Sequence, residues 1–124
     1  MKYEKAPEIK KQIEVLVREL HFDHIDPKFI HCIRSFDAKT RAYARIWGMA
    51  PLFHEVAGIS PNYIIEVNAR MFDRLSDREK IKTLIHELMH VPKTFSGALL
   101  PHRGRYHRIN DREVEKILKS LRSK

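Results

Sequence analysis

Residues 76–92 read SDREKIKTLIHELMHVP, and how this stretch folds decides what can be built around it. Ser76 and Glu79 make an S-x-x-E pair, which satisfies the free N–H groups of a first helical turn. A helix is therefore predicted from Asp77. Pro92 has no N–H to donate and restricts the residue before it, so the helix stops near Val91. At about 100° per residue, Ile81, Leu84 and Leu88 gather on one side. His86 and His90 lie about 40° apart on another, with Thr83 beside them. The histidines look away from the apolar stripe, toward whatever packs on the opposite flank.

Two imidazoles one turn apart can share one metal ion, and neutral nitrogen ligands suit zinc. Glu87 sits about 60° round from His90, beside such an ion and not on it, where its carboxylate can take a proton from the attacking water. This division of labour is why the H-E-x-x-H spacing carries a mechanism. A catalytic zinc keeps three protein ligands and one open position, so a third ligand must come from outside the helix. His102 in LLPH is the first choice, because Leu99 and Leu100 can anchor its loop and Pro101 restricts the backbone. His107, in the more charged RGRYHR, is the second choice and Glu113 the third. The metzincin spacing is absent: Lys93 and Ser96 stand where that pattern needs other residues.

Outward from this helix the chain reads as an α+β domain. Ile9, Ile13, Leu16, Val17 and Leu20 recur at helical spacing, which predicts a helix over 7–20 opening on Pro7. FIHCIRSF (29–36) and RAYARIWGM (41–49) are extended segments, separated by the polar DAKT, that can pair as a hairpin. YIIEV (63–67) is the clearest strand. It reads either as a buried central strand or as the cleft-bordering strand to which an extended peptide adds. APLFHEVAG between the last two is a loop or a short helical turn. ARMFDRL (69–75) is a short helical piece. NDRE at 110–113 caps a last helix along which Val114, Ile117, Leu118 and Leu121 form a stripe. The expectation is a short, mostly antiparallel sheet packed by the N-terminal helix and the HExxH helix, with a C-terminal helix.

A length of 124 residues, 43% hydrophobic and 32% charged, suits one compact domain over residues 1–124. Cys32 is the one cysteine, so no intramolecular disulfide forms, and it reads as a small buried hydrophobe. The N-terminus has no apolar stretch of the signal-peptide kind, and no run approaches the ~20 apolar residues that span a bilayer. The expected location is the cytoplasm, with no membrane partner. The net charge of +8 is uneven: residues 93–124 hold nine Lys/Arg against three Asp/Glu. That basic region can meet nucleic acid or an acidic protein, although a solvated basic surface accounts for it as well. Nothing in the sequence sets an oligomeric state.

The series HELMHVPKTFSGALLPH (86–102), preceded by YIIEVNARMFDRLSDREKIKTLI and followed by NDREVEKI, resembles the putative metallopeptidases of archaea and phages. These are small zincins distantly similar to the SprT-like family, and the resemblance spans roughly residues 25–120. It implies a minimal zincin fold with zinc between the active-site helix and the following loop. Under it, His86 and His90 match the helix ligands, Glu87 the base and His102 the downstream histidine.

Two functions follow as expectations. One is a zinc-dependent metallopeptidase, acting on a peptide or protein substrate with Glu87 as general base. The other is a non-catalytic, zinc-stabilised module whose basic C-terminal region binds nucleic acid or an acidic protein, with His107 or Cys32 closing the metal's fourth position. Glu87 separates them, since a purely structural site has no use for a glutamate between its ligands. Tyr106 and His107 read as loop residues or as donors to an oxyanion. Trp47 reads as core. His21, His24, His31 and His54 read as surface or half-buried.

Overall fold

The computed structural model describes residues 2–105 and 107–122. The described residues form a four-stranded sheet and five α-helices. The strands are β1 (Tyr3–Lys5), β2 (Ile30–Ser35), β3 (Ala44–Trp47) and β4 (Tyr63–Asn68). The helices are α1 (Pro7–Glu19), α2 (Pro51–Ala57), α3 (Ala69–Phe72), α4 (Asp77–Leu88) and α5 (Asp111–Arg122). The α+β class, the mostly antiparallel sheet and the C-terminal helix are as expected. No helix among the described residues is long and apolar enough to cross a membrane.

The sheet order is β1-β2-β4-β3, which corrects the hairpin expected between 29–36 and 41–49. β4 lies between them, parallel to β2 (Ile30↔Tyr63, Cys32↔Ile65) and antiparallel to β3 (Ala44↔Val67, Ile46↔Ile65). The reason is burial. Five of the six residues of β4 are buried, and a β2–β3 hairpin would leave this apolar strand on an edge. It also corrects the reading of YIIEV as a strand that binds peptide, because both edges of β4 are taken. β1, which pairs with β2, escaped the sequence reading because its three residues are all exposed.

Helix α1 buries Ile9, Ile13, Leu16 and Val17, and α4 buries Leu84, Ile85 and Leu88, against Ile30, Cys32, Tyr63, Ile65 and Val67 of the sheet. Cys32 is buried and free, as read. Val114 and Leu118 of α5 join the same cluster. Trp47 does not, which corrects its assignment to the core; it is 46% exposed. β3 turns Ala44 and Ile46 inward and Arg45 and Trp47 outward. The indole N–H donates to Glu66 Oε1 at 2.9 Å while the Arg45 guanidinium lies 4.6 Å from the ring. Together they cover the Glu66 carboxylate, which is 2% exposed.

The caps fall where the sequence puts them. Ser76 Oγ accepts from Glu79 N at 3.2 Å, and Asn110 Oδ1 accepts from Glu113 N at 2.9 Å. α4 ends at Leu88, three residues short of the expected Val91, and His90 lies in a tightened closing turn in which its N–H donates to the Glu87 carbonyl at 3.1 Å. α2 is helical, resolving the ambiguous 50–58, and none of its residues is buried.

Candidate metal centre

The three histidines stand on different supports. His86 is fixed by the body of α4. His90 is clamped to the loop that follows: its Nδ1–H donates to the Leu100 carbonyl at 2.6 Å, and Leu100 N–H donates to the His90 carbonyl at 2.7 Å. The first bond fixes the tautomer and leaves Nε2 bare, as a histidine ligand needs. His102 is exposed on that loop, and its carbonyl accepts from Ile109 N at 2.7 Å.

The loop itself is pinned at three places. The Tyr63 hydroxyl, at the buried end of β4, accepts from Gly97 N at 2.8 Å and donates to the Ala98 carbonyl at 2.9 Å. Met49 N donates to the Gly97 carbonyl at 2.7 Å. That approach requires two glycines, because a Cβ on Gly48 would meet Gly97 O at 2.4 Å and one on Gly97 would meet Met49 O at 2.4 Å. Gly97 also sits at φ +98°, which L side chains rarely adopt. Finally, His107 Nε2–H donates to the Pro101 carbonyl at 2.9 Å, with its ring folded across Gly104.

The result is a convergent group. Ring nitrogens of His86, His90 and His102 lie within 4.8 Å of one another, with His86 Nε2 3.2 Å from His102 Nε2. Two nitrogens on one tetrahedral zinc, each at about 2.0–2.1 Å, stand roughly 3.3 Å apart. Burial, with the charges of His90 and His102, pulls His86 down to about 4. Burial also lowers His90, although its bond to Leu100 works against that. Both rings are therefore neutral at pH 7, with lone pairs to offer. Three such nitrogens form a donor set that fits a divalent metal ion.

Glu87 is the other unusual group. It is 6% exposed, and no hydrogen bond or ion pair joins its carboxylate to another described residue. Burial pushes it up to about 8. It faces a hollow of about 580 Å³ bounded by β3, α4 and residues 99–102, and a second of about 340 Å³ toward α5.

Of the alternatives from sequence, His107 has its Nε2 engaged by Pro101 and stands outside the group of three. Glu113 pairs with Lys116 at 3.4 Å, and Cys32 lies in the core on β2. Tyr106 lies outside the described residues. His21, His31 and His54 are exposed and His24 is half-buried. Sequence reasoning missed Tyr63, Gly48, Gly97 and the Leu100 carbonyl as supports. Only the FSG of 95–97 hinted at a tight loop, and a backbone carbonyl leaves no side-chain signal.

The model of a family described as putative phage metallopeptidase matches residues 1–122. The chain belongs to that family. A putative phage metallopeptidase is expected to carry a metal, and three convergent histidines on α4 and its loop are where this one can hold it. No curated protein matches the chain, and no solved structure matches it.

Proposed function

We propose that this chain is a zinc-dependent peptidase in which His86, His90 and His102 hold the metal and Glu87 is the general base. One observation carries the reading: a buried carboxylate without a partner stands at the rim of a cleft, next to three ring nitrogens that converge on one point. When bound, zinc supplies a Lewis acid that lowers the pKa of a water and polarises a carbonyl. Glu87 takes the proton from the attacking water and returns it to the leaving amine. Burial pushes its carboxyl up to about 8, which makes it a strong base for a carboxylate, and a cation beside it acts in the opposite direction. The His90–Leu100 clamp keeps one ring nitrogen aimed outward throughout.

The substrate is an extended peptide. β3 gives one edge to β4, while its residues Ala44, Arg45 and Ile46 line the larger hollow with His86, Glu87 and His90. A peptide laid along the other edge adds as a strand and passes in front of Glu87. Strand addition thus falls to β3, and YIIEV is the buried central strand that was its other reading.

A non-catalytic module remains the second reading, favoured by the exposed Arg103, Arg105 and Arg108 in the turn beside His102. Acidic partners of either kind suit that turn. It gives no account of Glu87, a costly group to bury unpaired.

The test is digestion of an unfolded protein such as casein by zinc-loaded wild type, by Glu87→Gln and by wild type treated with a chelator. Cleavage by wild type alone supports the peptidase. Equal cleavage by Glu87→Gln removes Glu87 from its role.

A further inference from the structure

We infer that the smaller hollow, between α4 and the start of α5, is a subsite that accepts a lysine or arginine side chain of the substrate next to the scissile bond. This rests on the peptidase reading and adds a specificity to it. His86 and Glu87 line both hollows, so a peptide lying along β3 presents one side chain to each. The smaller hollow has walls of Tyr43, Thr83 and Val114, with Glu79, Lys82 and Asp111 as its charged groups.

The charges are arranged unequally. The Lys82 ammonium is drawn into the wall, its side chain 10% exposed, with Asp111 at 2.6 Å, Glu115 at 2.9 Å and Glu79 at 3.6 Å. Glu115 is shared with Arg78 at 2.5 Å and serves to tie α5 to α4. Asp111 and Glu79 are the accessible acids, their side chains 78% and 48% exposed. Glu79 also lies 3.5 Å from the Arg78 guanidinium; a carboxylate has about four lone-pair sites, so each acid keeps acceptor capacity beyond these contacts. The lining therefore carries two carboxylates against one ammonium, a local excess of negative charge on a chain of net charge +8.

A second feature points to a ligand here. Glu87, nine-tenths buried and without a partner among the described residues, faces the same hollow. Its carboxylate lines the hollow and is open to whatever enters it. A lysine or arginine suits the charge excess: its methylenes lie along Thr83 and Val114, past Glu87, while its cationic head reaches the Glu79 and Asp111 carboxylates at the rim. A glutamate or aspartate in the same place meets two like charges.

The experiment uses full-length, zinc-loaded protein and a mixed peptide library, with cleavage sites read by mass spectrometry. Basic residues are expected at one fixed position beside the cut. Two peptides identical except for Lys or Glu there should differ about tenfold in kcat/KM. Glu79→Gln and Asp111→Asn should each shrink that ratio, and Asp111→Glu should keep it. A ratio taken on one preparation is insensitive to how much of a variant has folded. Glu87→Gln protein, read by anisotropy with labelled peptides, should bind the Lys peptide more tightly than the Glu peptide. Cleavage without basic enrichment, or a ratio unmoved by Glu79→Gln and Asp111→Asn, overturns the subsite and leaves the peptidase standing. Failure of metal-loaded protein to cut any peptide overturns both.

Discussion

His90 and Leu100 are joined by two hydrogen bonds, ring Nδ1–H to carbonyl at 2.6 Å and amide N–H to carbonyl at 2.7 Å. The pair locks the end of α4 to the loop bearing His102, so the spacing of the ring nitrogens is set by backbone as much as by side chains. The next support out is His107, through the Pro101 carbonyl. His107→Ala is therefore expected to retain one zinc per chain but to bind it about 10–100-fold more weakly, as loss of an outer support typically does. His102→Ala should lose tight binding. Competition with a chromophoric chelator measures both, and loss of stoichiometric zinc from His107→Ala would make His107 a ligand after all.

Gly104→Ala should reproduce that effect. A Cβ at 104 would stand 2.1 Å from Cε1 of the His107 ring, which must swing away and release Pro101. Zinc affinity of Gly104→Ala/His107→Ala should then match that of either single variant, as expected for two changes acting through one contact. Additive losses would separate the two residues.

Glu87 sets a pH dependence in metal-free protein. Folded, it holds its proton up to about 8; unfolded, it ionises near 4.5. Between those values the native state binds more protons, so this group lowers stability as pH rises, and its full penalty is present above pH 8. Glu87→Gln removes the penalty. Its unfolding free energy in urea should equal that of wild type near pH 4 and exceed it at pH 8 by a margin on the order of a few kcal/mol. A variant less stable than wild type at pH 8 would mean that the carboxylate has a partner.

Glu115 runs the other way. The Arg78 guanidinium, and then Lys82, hold its carboxyl down to about 2. Its contribution is present above about 4.5 and is lost as pH falls toward 2. Glu115→Gln should lower the thermal midpoint at pH 7, and the gap to wild type should close in strong acid. An equal gap at pH 7 and pH 2 would show packing, not charge, at work.

The crossing of the loop over β3 is tested by Gly48→Ala, whose Cβ would sit 2.4 Å from Gly97 O. Backbone cannot give way as a side-chain tip does, so a loss of about 1–3 kcal/mol is expected in urea unfolding. A neutral result would place the loop elsewhere.

The elements with a repeating signal were legible from the sequence. The stripe of α1, the Ser76 and Asn110 caps and the apolar strand at 63–67 all lie where periodicity and capping chemistry put them. Strand order was not, because pairing β2 with β4 across 27 intervening residues is decided by which strand most needs burial, a property of the whole sheet. Trp47 was misplaced because a large aromatic on a short edge strand can turn outward, where its indole N–H reaches Glu66. At the site, spacing alone brought His86, Glu87 and His90 together, and LLPH supplied the histidine that joins them. The supports were not legible, since Leu100 acts through its carbonyl and Gly48 through the absence of a side chain.

The central claim is that three histidines hold one metal ion beside a glutamate base. Zinc content by mass spectrometry, measured with cleavage of casein on the same samples of wild type, His102→Ala and Glu87→Gln, tests it most directly. The expected result is one zinc in wild type and in Glu87→Gln, none in His102→Ala, and cleavage by wild type only. Stoichiometric zinc in His102→Ala, or cleavage undiminished in Glu87→Gln, would contradict it.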